Sequence, residues 1–327
     1  MPSVTVTTNA NIALLKYWGK RDENLFLPTK SSCALTVSEL KTTTTLSFSA
    51  ELMKDTIAIN EHPATEKSHT SIVRFLDQFR KQNRINNYFT ITTHNNFPTA
   101  AGLASSSSGF AALAIGLNKL CELKKPMSEV SILARQGSGS AARSVYGGFT
   151  LWHQGQRPDG SDSYAEQLFD EHHWPELRII IAVVSNQEKE ISSRDGMCMT
   201  IATSPYYQQW LNESAQRTIS LVEAFKNKDL HHLGMLVEAD WTGMHQSMTT
   251  TQPSLNYWTQ ASYAIINTVK QLRSQNIACY FTTDAGPHVI MLCTAKDVEK
   301  IKSLLNDIDE VINVMTCTIA GDPIIHI

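Results

Sequence analysis

At 327 residues the chain exceeds the usual size of one hydrophobic core, so two domains are expected. Apolar residues at 42% and charged residues at 18% fit a globular enzyme and exclude a disordered or fibrous chain, while a net charge of −3 excludes nucleic-acid binding through a broad basic face. Six scattered cysteines without Cys-x-x-Cys spacing exclude a zinc knuckle and a disulfide framework; with no charged-then-apolar leader and no run of about 18 apolar residues, a soluble, cytoplasmic protein with no membrane partner is expected.

In chain order, Val4 to Thr8 alternates like a strand and runs into Asn11-Ile-Ala-Leu-Leu-Lys16-Tyr17-Trp18-Gly19-Lys20-Arg21-Asp22, where three cations and two aromatic residues surround a glycine. A solvated basic turn is the plain alternative, but Tyr17 and Trp18 form neither a core stripe nor a typical surface. A threonine-rich strand over Thr42 to Ser49 follows, then a helix over His69 to Gln82 and a strand over Tyr88 to His94. That strand leads into Pro98-Thr-Ala-Ala-Gly102-Leu-Ala-Ser105-Ser106-Ser107-Ser108-Gly109 and an apolar run to Leu120. Small residues let a phosphate approach the backbone, and the helix start offers unpaired N–H groups and a positive dipole end, so the segment describes a polyphosphate cradle; a capped surface loop is the alternative. It is neither Gly-x-x-x-x-Gly-Lys-Ser/Thr nor Gly-x-Gly-x-x-Gly.

A helix beginning at Ser128 ends at Gly137-Ser138-Gly139-Ser140, which presents Arg143 among residues too small to hide it, a planar fork suited to carboxylate or phosphate. Strands are expected at Phe149 to Trp152 and Arg178 to Val184, with a surface loop over Gly155 to Ser163 between them. Lys189-Glu190-Ile-Ser-Ser193-Arg194-Asp195-Gly196-Met197 again joins cations, serines and glycine. Long helices are then expected over Pro205 to Lys226, Leu230 to Met244 and Leu255 to Ser274, followed by strand (Ala278 to Thr283), turn (Gly286-Pro287), strand (His288 to Cys293), helix (Ala295 to Ile308) and strand (Val311 to Cys317). This order gives an α+β protein with helices on one face of an antiparallel sheet. The border between domains is expected near residue 185, giving units 1–185 and 186–327. Asp284 ends an apolar strand, where a turn aspartate is commonplace but where a carboxylate at a phosphate site could also orient or deprotonate a hydroxyl. Histidines at no ligand spacing leave protein-held zinc unexpected.

The Lys16-Tyr-Trp-Gly-Lys20, Pro98–Ser106, Gly137-Ser-Gly-Ser-Ala-Ala-Arg143-Ser144 and Asp284-Ala-Gly-Pro287 segments resemble those of the mevalonate diphosphate decarboxylase family, within the galactokinase, homoserine kinase, mevalonate kinase and phosphomevalonate kinase (GHMP) superfamily. The resemblance runs from about residue 6 to the last strand; the serine loop points only to the superfamily, and the lysine and arginine segments single out the branch. The cysteine usual before the arginine is Ala142 here. The resemblance implies a two-domain GHMP-kinase-like fold, with a left-handed β-α-β unit in the N-terminal domain, a ferredoxin-like C-terminal domain and an active-site cleft between them. It implies ATP-dependent decarboxylation of mevalonate 5-diphosphate to isopentenyl diphosphate through phosphorylation of the C3 hydroxyl. Asp284, Lys16, Arg143 and Ser193 would form the catalytic set, and Tyr17, Lys20, Arg74, Ser138, Ser140, Arg194 and Met197 would join Arg143 and Ser193 in binding substrate. Pro98, Ala100, Gly102, Leu103, Ser105, Ser106 and Ser107 would hold ATP, with Mg2+ met by Ser106, and a homodimer is compatible with the family. A mevalonate 5-phosphate decarboxylase, a mevalonate kinase relative without decarboxylation, and a non-enzymatic anion-binding domain are the alternatives.

Overall fold

The computed structural model describes residues 2–48, 51–97, 105–187 and 189–326. Its larger sheet is built around one long strand, Ser32–Phe48, whose first half pairs with Phe149–Trp152 and whose second half pairs with Phe89–Asn95. Ser3–Ala13 runs antiparallel along its other edge, with an irregularity between Asn9 and Asn11. The threonine run sets this register. Thr43 and Thr45 meet Thr7 and Thr5 through hydroxyl contacts of 3.0 and 2.8 Å, while Thr42 and Thr44 turn inward. The helix Ser105–Leu120 is apolar almost all round because it lies between the sheet and the helices Glu66–Asn83 and Met127–Gly137. Gly116 permits this approach, since a Cβ there would lie 2.4 Å from Leu46 Cδ1.

The second sheet has four antiparallel strands in the order Tyr280–Thr282, Val289–Thr294, Leu177–Val183, Asn313–Cys317. In chain order these read strand, helices, strand, strand, helix, strand with spatial order 4-1-3-2, the split β-α-β arrangement of a ferredoxin-like unit. Helices Gln260–Ser274 and Val298–Asn306 cover one face through Ile265, Val269, Ile301 and Leu305. The opposite face, carrying Ile179, Ile181 and Leu292, packs against Ile12, Leu35 and Phe149 of the first sheet and against Leu221 and Val237. Burial on both faces explains why the strand Leu177–Val183 reads as an apolar run from Ile179 on.

Several sequence expectations change. The strand Leu177–Val183, on the N-terminal side of the expected border at 185, belongs to the second sheet, and Ile324–His326 returns to pair with Ser3–Ala13. Hydropathy marks a strand but not its partner, so sheet membership moves the border before Leu177 and leaves the last strand with the first unit. The helix expected over Pro205 to Lys226 is two, Tyr207–Asn212 and Ser214–Asn227; Glu213 between them keeps right-handed helical dihedrals, so the periodicity carries through the break. The segment after Lys189 contains a helix, Ser193–Thr203, with Ser192 accepting from the Asp195 N–H at 3.2 Å. The helix expected from Leu255 begins at Gln260, behind a Thr259–Ser262 capping box.

Candidate active site

Leu14 and Leu15 both donate their N–H to the Cys33 carbonyl, at 2.8 and 3.2 Å, and turn the chain inward at the end of the first strand. Lys16 follows, 1% exposed, and its Nζ donates to the Ala13 carbonyl at 2.8 Å and to Asp284 Oδ1 at 2.7 Å. Burial lowers the pKa of this ammonium, opposed by the charge and hydrogen bond of Asp284 and then by the charge of Asp240. Asp284 itself remains about a third exposed, at 32%, where it faces a cavity of about 980 Å³.

Behind Asp284, Thr283 is fully buried and caged by aromatic rings. The indole N–H groups of Trp241 and Trp258 donate to its Oγ1 at 2.9 and 3.2 Å, so its hydroxyl proton is left for His245 Nε2 at 2.9 Å. That assigns His245 as a neutral ring with Nε2 as acceptor, in keeping with a pKa lowered to about 3 by burial and by the charge of Lys16.

Arg143 sits in the short helical turn Ala141–Ser144 and is 2% exposed. Its Nε donates to Asn11 Oδ1 at 2.9 Å and its Nη1 to Ser32 Oγ, while the Asn11 amide donates to Ser144 Oγ at 2.8 Å. With two edges of the guanidinium fixed, Nη2 is left for a ligand in the cavity that Arg143 lines. Burial lowers its pKa to about 10, so it stays charged at neutral pH.

A second cationic group gathers on one aromatic ring. Lys20 Nζ lies 5.1 Å, Arg194 Cζ 5.1 Å and Arg74 Cζ 5.6 Å from the centroid of Phe26, in a small hairpin formed by Lys20–Asp22 and Leu27–Pro28. Glu23 pairs with Lys20 at 2.6 Å. Burial, and then the charge of Arg194, lowers the Arg74 pKa, which marks a repulsion that a polyanion would relieve. Tyr17, packed at 4.8 Å against Trp152, has a buried hydroxyl with no hydrogen-bond partner among the described residues, and burial raises its pKa. Gly139 lets the ring pass, since a Cβ there would lie 2.6 Å from the Tyr17 hydroxyl oxygen.

The cavity brings together Lys16, Tyr17, Lys20, Arg74, Ser105, Ser106, Ser138, Ser140, Arg143, Ser193, Arg194, Met197 and Asp284. Ser106 and Ser138 approach to 3.3 Å across the two serine segments. Ser193 accepts from Lys189 Nζ at 2.8 Å, and Lys189 also donates to the Ala285 carbonyl at 2.6 Å, beside Asp284. Ser107 is fully buried and is not among the lining residues, whereas Pro98, Ala100, Gly102 and Leu103 lie outside the described residues. Ser32, Phe26 and Asp240 went unnoticed in the sequence. Ser32 and Phe26 carry no local pattern, and Asp240 is an acidic residue among the apolar positions of a helix, a signal that could have been read. Among the described residues no group of three His, Cys, Asp or Glu side chains is placed to hold a metal, and no helix is long and apolar enough to cross a membrane.

Two family models match this chain, the diphosphomevalonate decarboxylase-like N-terminal domain over residues 8–165 and the mevalonate 5-diphosphate decarboxylase C-terminal domain over residues 179–325. It is 39% identical to a diphosphomevalonate decarboxylase of Candida albicans, across 93% of this chain and 88% of the relative, and 36% identical to that of Saccharomyces cerevisiae, across 91% and 80%. Among solved structures it is similar to mevalonate diphosphate decarboxylase from Staphylococcus aureus, with a TM-score of 0.94 at 35% identity over 100% of this chain and 98% of that one. A structure of MDDEF in complex with MVAPP, AMPPCP and magnesium aligns with a TM-score of 0.92 at 36% identity over 99% and 98% of the two chains.

Proposed function

Because the chain belongs to the diphosphomevalonate decarboxylase family, we propose that it converts mevalonate 5-diphosphate and ATP to isopentenyl diphosphate, ADP, phosphate and CO2. The observation that carries this reading is the Lys16–Asp284 pair at 2.7 Å, set in one cavity with a buried arginine and a three-cation cluster. Each group meets one part of the substrate. Lys20, Arg74 and Arg194 around Phe26, with the unpartnered Tyr17 hydroxyl, suit a diphosphate; Arg143, through Nη2, suits the C1 carboxylate. Ser138, Ser140 and Met197 line the same cavity, and the helix starting at Ser105 offers N–H groups to ATP.

Asp284 accepts the proton of the C3 hydroxyl as that hydroxyl's oxygen bonds to the γ-phosphorus and the bond from phosphorus to ADP breaks. Lys16 directs positive charge at the carboxylate and at the transferring group. Departure of the C3 phosphate takes the C–O electron pair with it, and the C1–C2 pair becomes the C2–C3 double bond as CO2 leaves. The Asp284 carboxylate opposes the positive charge developing at C3. Ser193, held by Lys189, lines the same cavity as Asp284. Mg2+ would supply charge neutralisation to the phosphates when bound with ATP, and Ser106, which lines the cavity, is the hydroxyl that would reach it. A cytoplasmic, homodimeric enzyme belongs to the same reading, and sedimentation velocity tests the dimer.

The diphosphate assignment is tested by comparing mevalonate 5-diphosphate with mevalonate 5-phosphate. Loss of even one charge-assisted contact, worth roughly 1.5 to 3 kcal/mol, lowers kcat/KM by about tenfold or more. Equal kcat/KM for the two substrates would select the monophosphate decarboxylase instead.

A further inference from the structure

Asp240 lies on the helix Leu230–Thr249, is fully buried, and does not line the cavity. Its Oδ2 accepts from the backbone N–H of Lys16 at 2.7 Å. Its Oδ1 accepts from Lys30 Nζ at 2.6 Å and from Trp210 Nε1 at 3.1 Å, and Arg217 Nη1 stands 3.6 Å away. Lys30 is itself 3% exposed and lies 4.2 Å from the centroid of the Trp210 ring. A buried ion pair of this kind contributes little net stability compared with an apolar pair of the same volume. Here, however, the same carboxylate grips the residue that carries the catalytic ammonium. The helix reaches the other catalytic group as well, since Trp241 and His245 hold Thr283, the neighbour of Asp284.

We infer that Asp240, its charge balanced by Lys30, is the positioning residue for Lys16, holding the ammonium against Asp284 through the Lys16 backbone and through its own buried charge. The charged groups facing Lys16 are Asp284 beyond the Tyr280–Thr282 strand, Asp240 from this helix and Arg143 from its turn, with His245 neutral. The sign follows from them. Asp240 opposes the loss of the Lys16 proton, so neutralising Asp240 lets that proton leave at lower pH. Removing Lys30 leaves the Asp240 charge less compensated and acts in the opposite direction or not at all. The inference rests on the part given to Lys16 in the proposed reaction, which CO2 release by the unmodified protein tests separately.

The test uses Asp240→Asn, Lys30→Met and the double variant, which removes both charges together. Asp240→Asn and the double variant are expected to lower kcat by roughly 10- to 100-fold, as a displaced catalytic group does, with KM for both substrates nearly unchanged. The alkaline limb of kcat moves down by roughly one pH unit in both, and it stays or moves up in Lys30→Met. NMR of 15N-labelled lysine side chains, with Lys16 assigned by the loss of its signal in Lys16→Arg, reads the same shift without turnover. An unmoved Lys16 titration in Asp240→Asn, a loss confined to KM, or the same downward shift in Lys30→Met would overturn the inference. So would loss of the folded circular dichroism signal in both Asp240→Asn and the double variant, because Asp240 would then be a stability element.

Discussion

Replacing Arg143 by lysine keeps the positive charge and removes the fork. In the structure Nε holds Asn11 and Nη1 holds Ser32, and Nη2 is left for the carboxylate that the proposed reaction brings. An ammonium has three protons on one atom at the end of a flexible stem and cannot span these directions. Two losses are therefore expected. Leaving a buried polar partner unsatisfied costs about 1 to 3 kcal/mol of stability, which appears as a lower Tm. Loss of the Nη2 contact to a desolvated carboxylate costs about 2 to 5 kcal/mol, which at 1.36 kcal/mol per tenfold is a drop of roughly 30- to 5,000-fold in kcat/KM. The assay is steady-state ADP release with mevalonate diphosphate varied, alongside a thermal melt of the same preparation. A lysine variant with wild-type kcat/KM would refute the reasoning, because Arg143 could then have no role at the carboxylate that an ammonium cannot fill. A lower Tm with unchanged kcat/KM would leave Arg143 as a structural anchor for Asn11 and Ser32 alone.

Asp284→Asn removes the proton acceptor while keeping the shape, so kcat falls roughly 100- to 10,000-fold with the substrate dissociation constant nearly intact; a loss confined to binding, measured by calorimetry, would contradict the catalytic role. Tyr17→Phe deletes a buried hydroxyl that has no partner among the described residues, so Tm stays level or rises while KM for the diphosphate increases; a lowered Tm with unchanged KM would show that the hydroxyl is structural. For His245, the folded pKa of about 3 lies below the usual 6.5, so the stability of its neutral form is fully present above pH 6.5 and is lost as pH falls toward 3. His245→Gln should therefore flatten the dependence of Tm on pH across that window, and parallel curves for the two proteins would remove His245 from the acid response.

Much of the site was legible because phosphate chemistry leaves local marks. Cations and aromatic residues at a strand end marked the segment around Lys16, serines between a strand and a helix that around Ser106, and small residues after a helix that around Arg143, while Asp284 read as a carboxylate closing an apolar strand, commonplace by itself. The partners that hold those groups were hidden for a physical reason. Ser32 meets Arg143 across a separation of 111 residues, and Asp240 meets Lys16 across 224, so only the tertiary fold makes them neighbours. Phe26 reads as an ordinary apolar residue until three cations converge on it. The same limit applied to the fold. Periodicity marked the strand at residues 178–184 but not the sheet it joins, and it passed through the break at Glu213 because a helical turn continues there.

The most direct measurement is the stoichiometry of products from mevalonate 5-diphosphate and ATP, with ADP read by a coupled assay and CO2 trapped from substrate labelled at C1. Transfer of the γ-phosphoryl to C3 followed by fragmentation requires one CO2 and one phosphate for each ADP, so equal amounts at every time point are predicted. ADP released without CO2 would contradict the account and make the protein a kinase that stops after phosphoryl transfer.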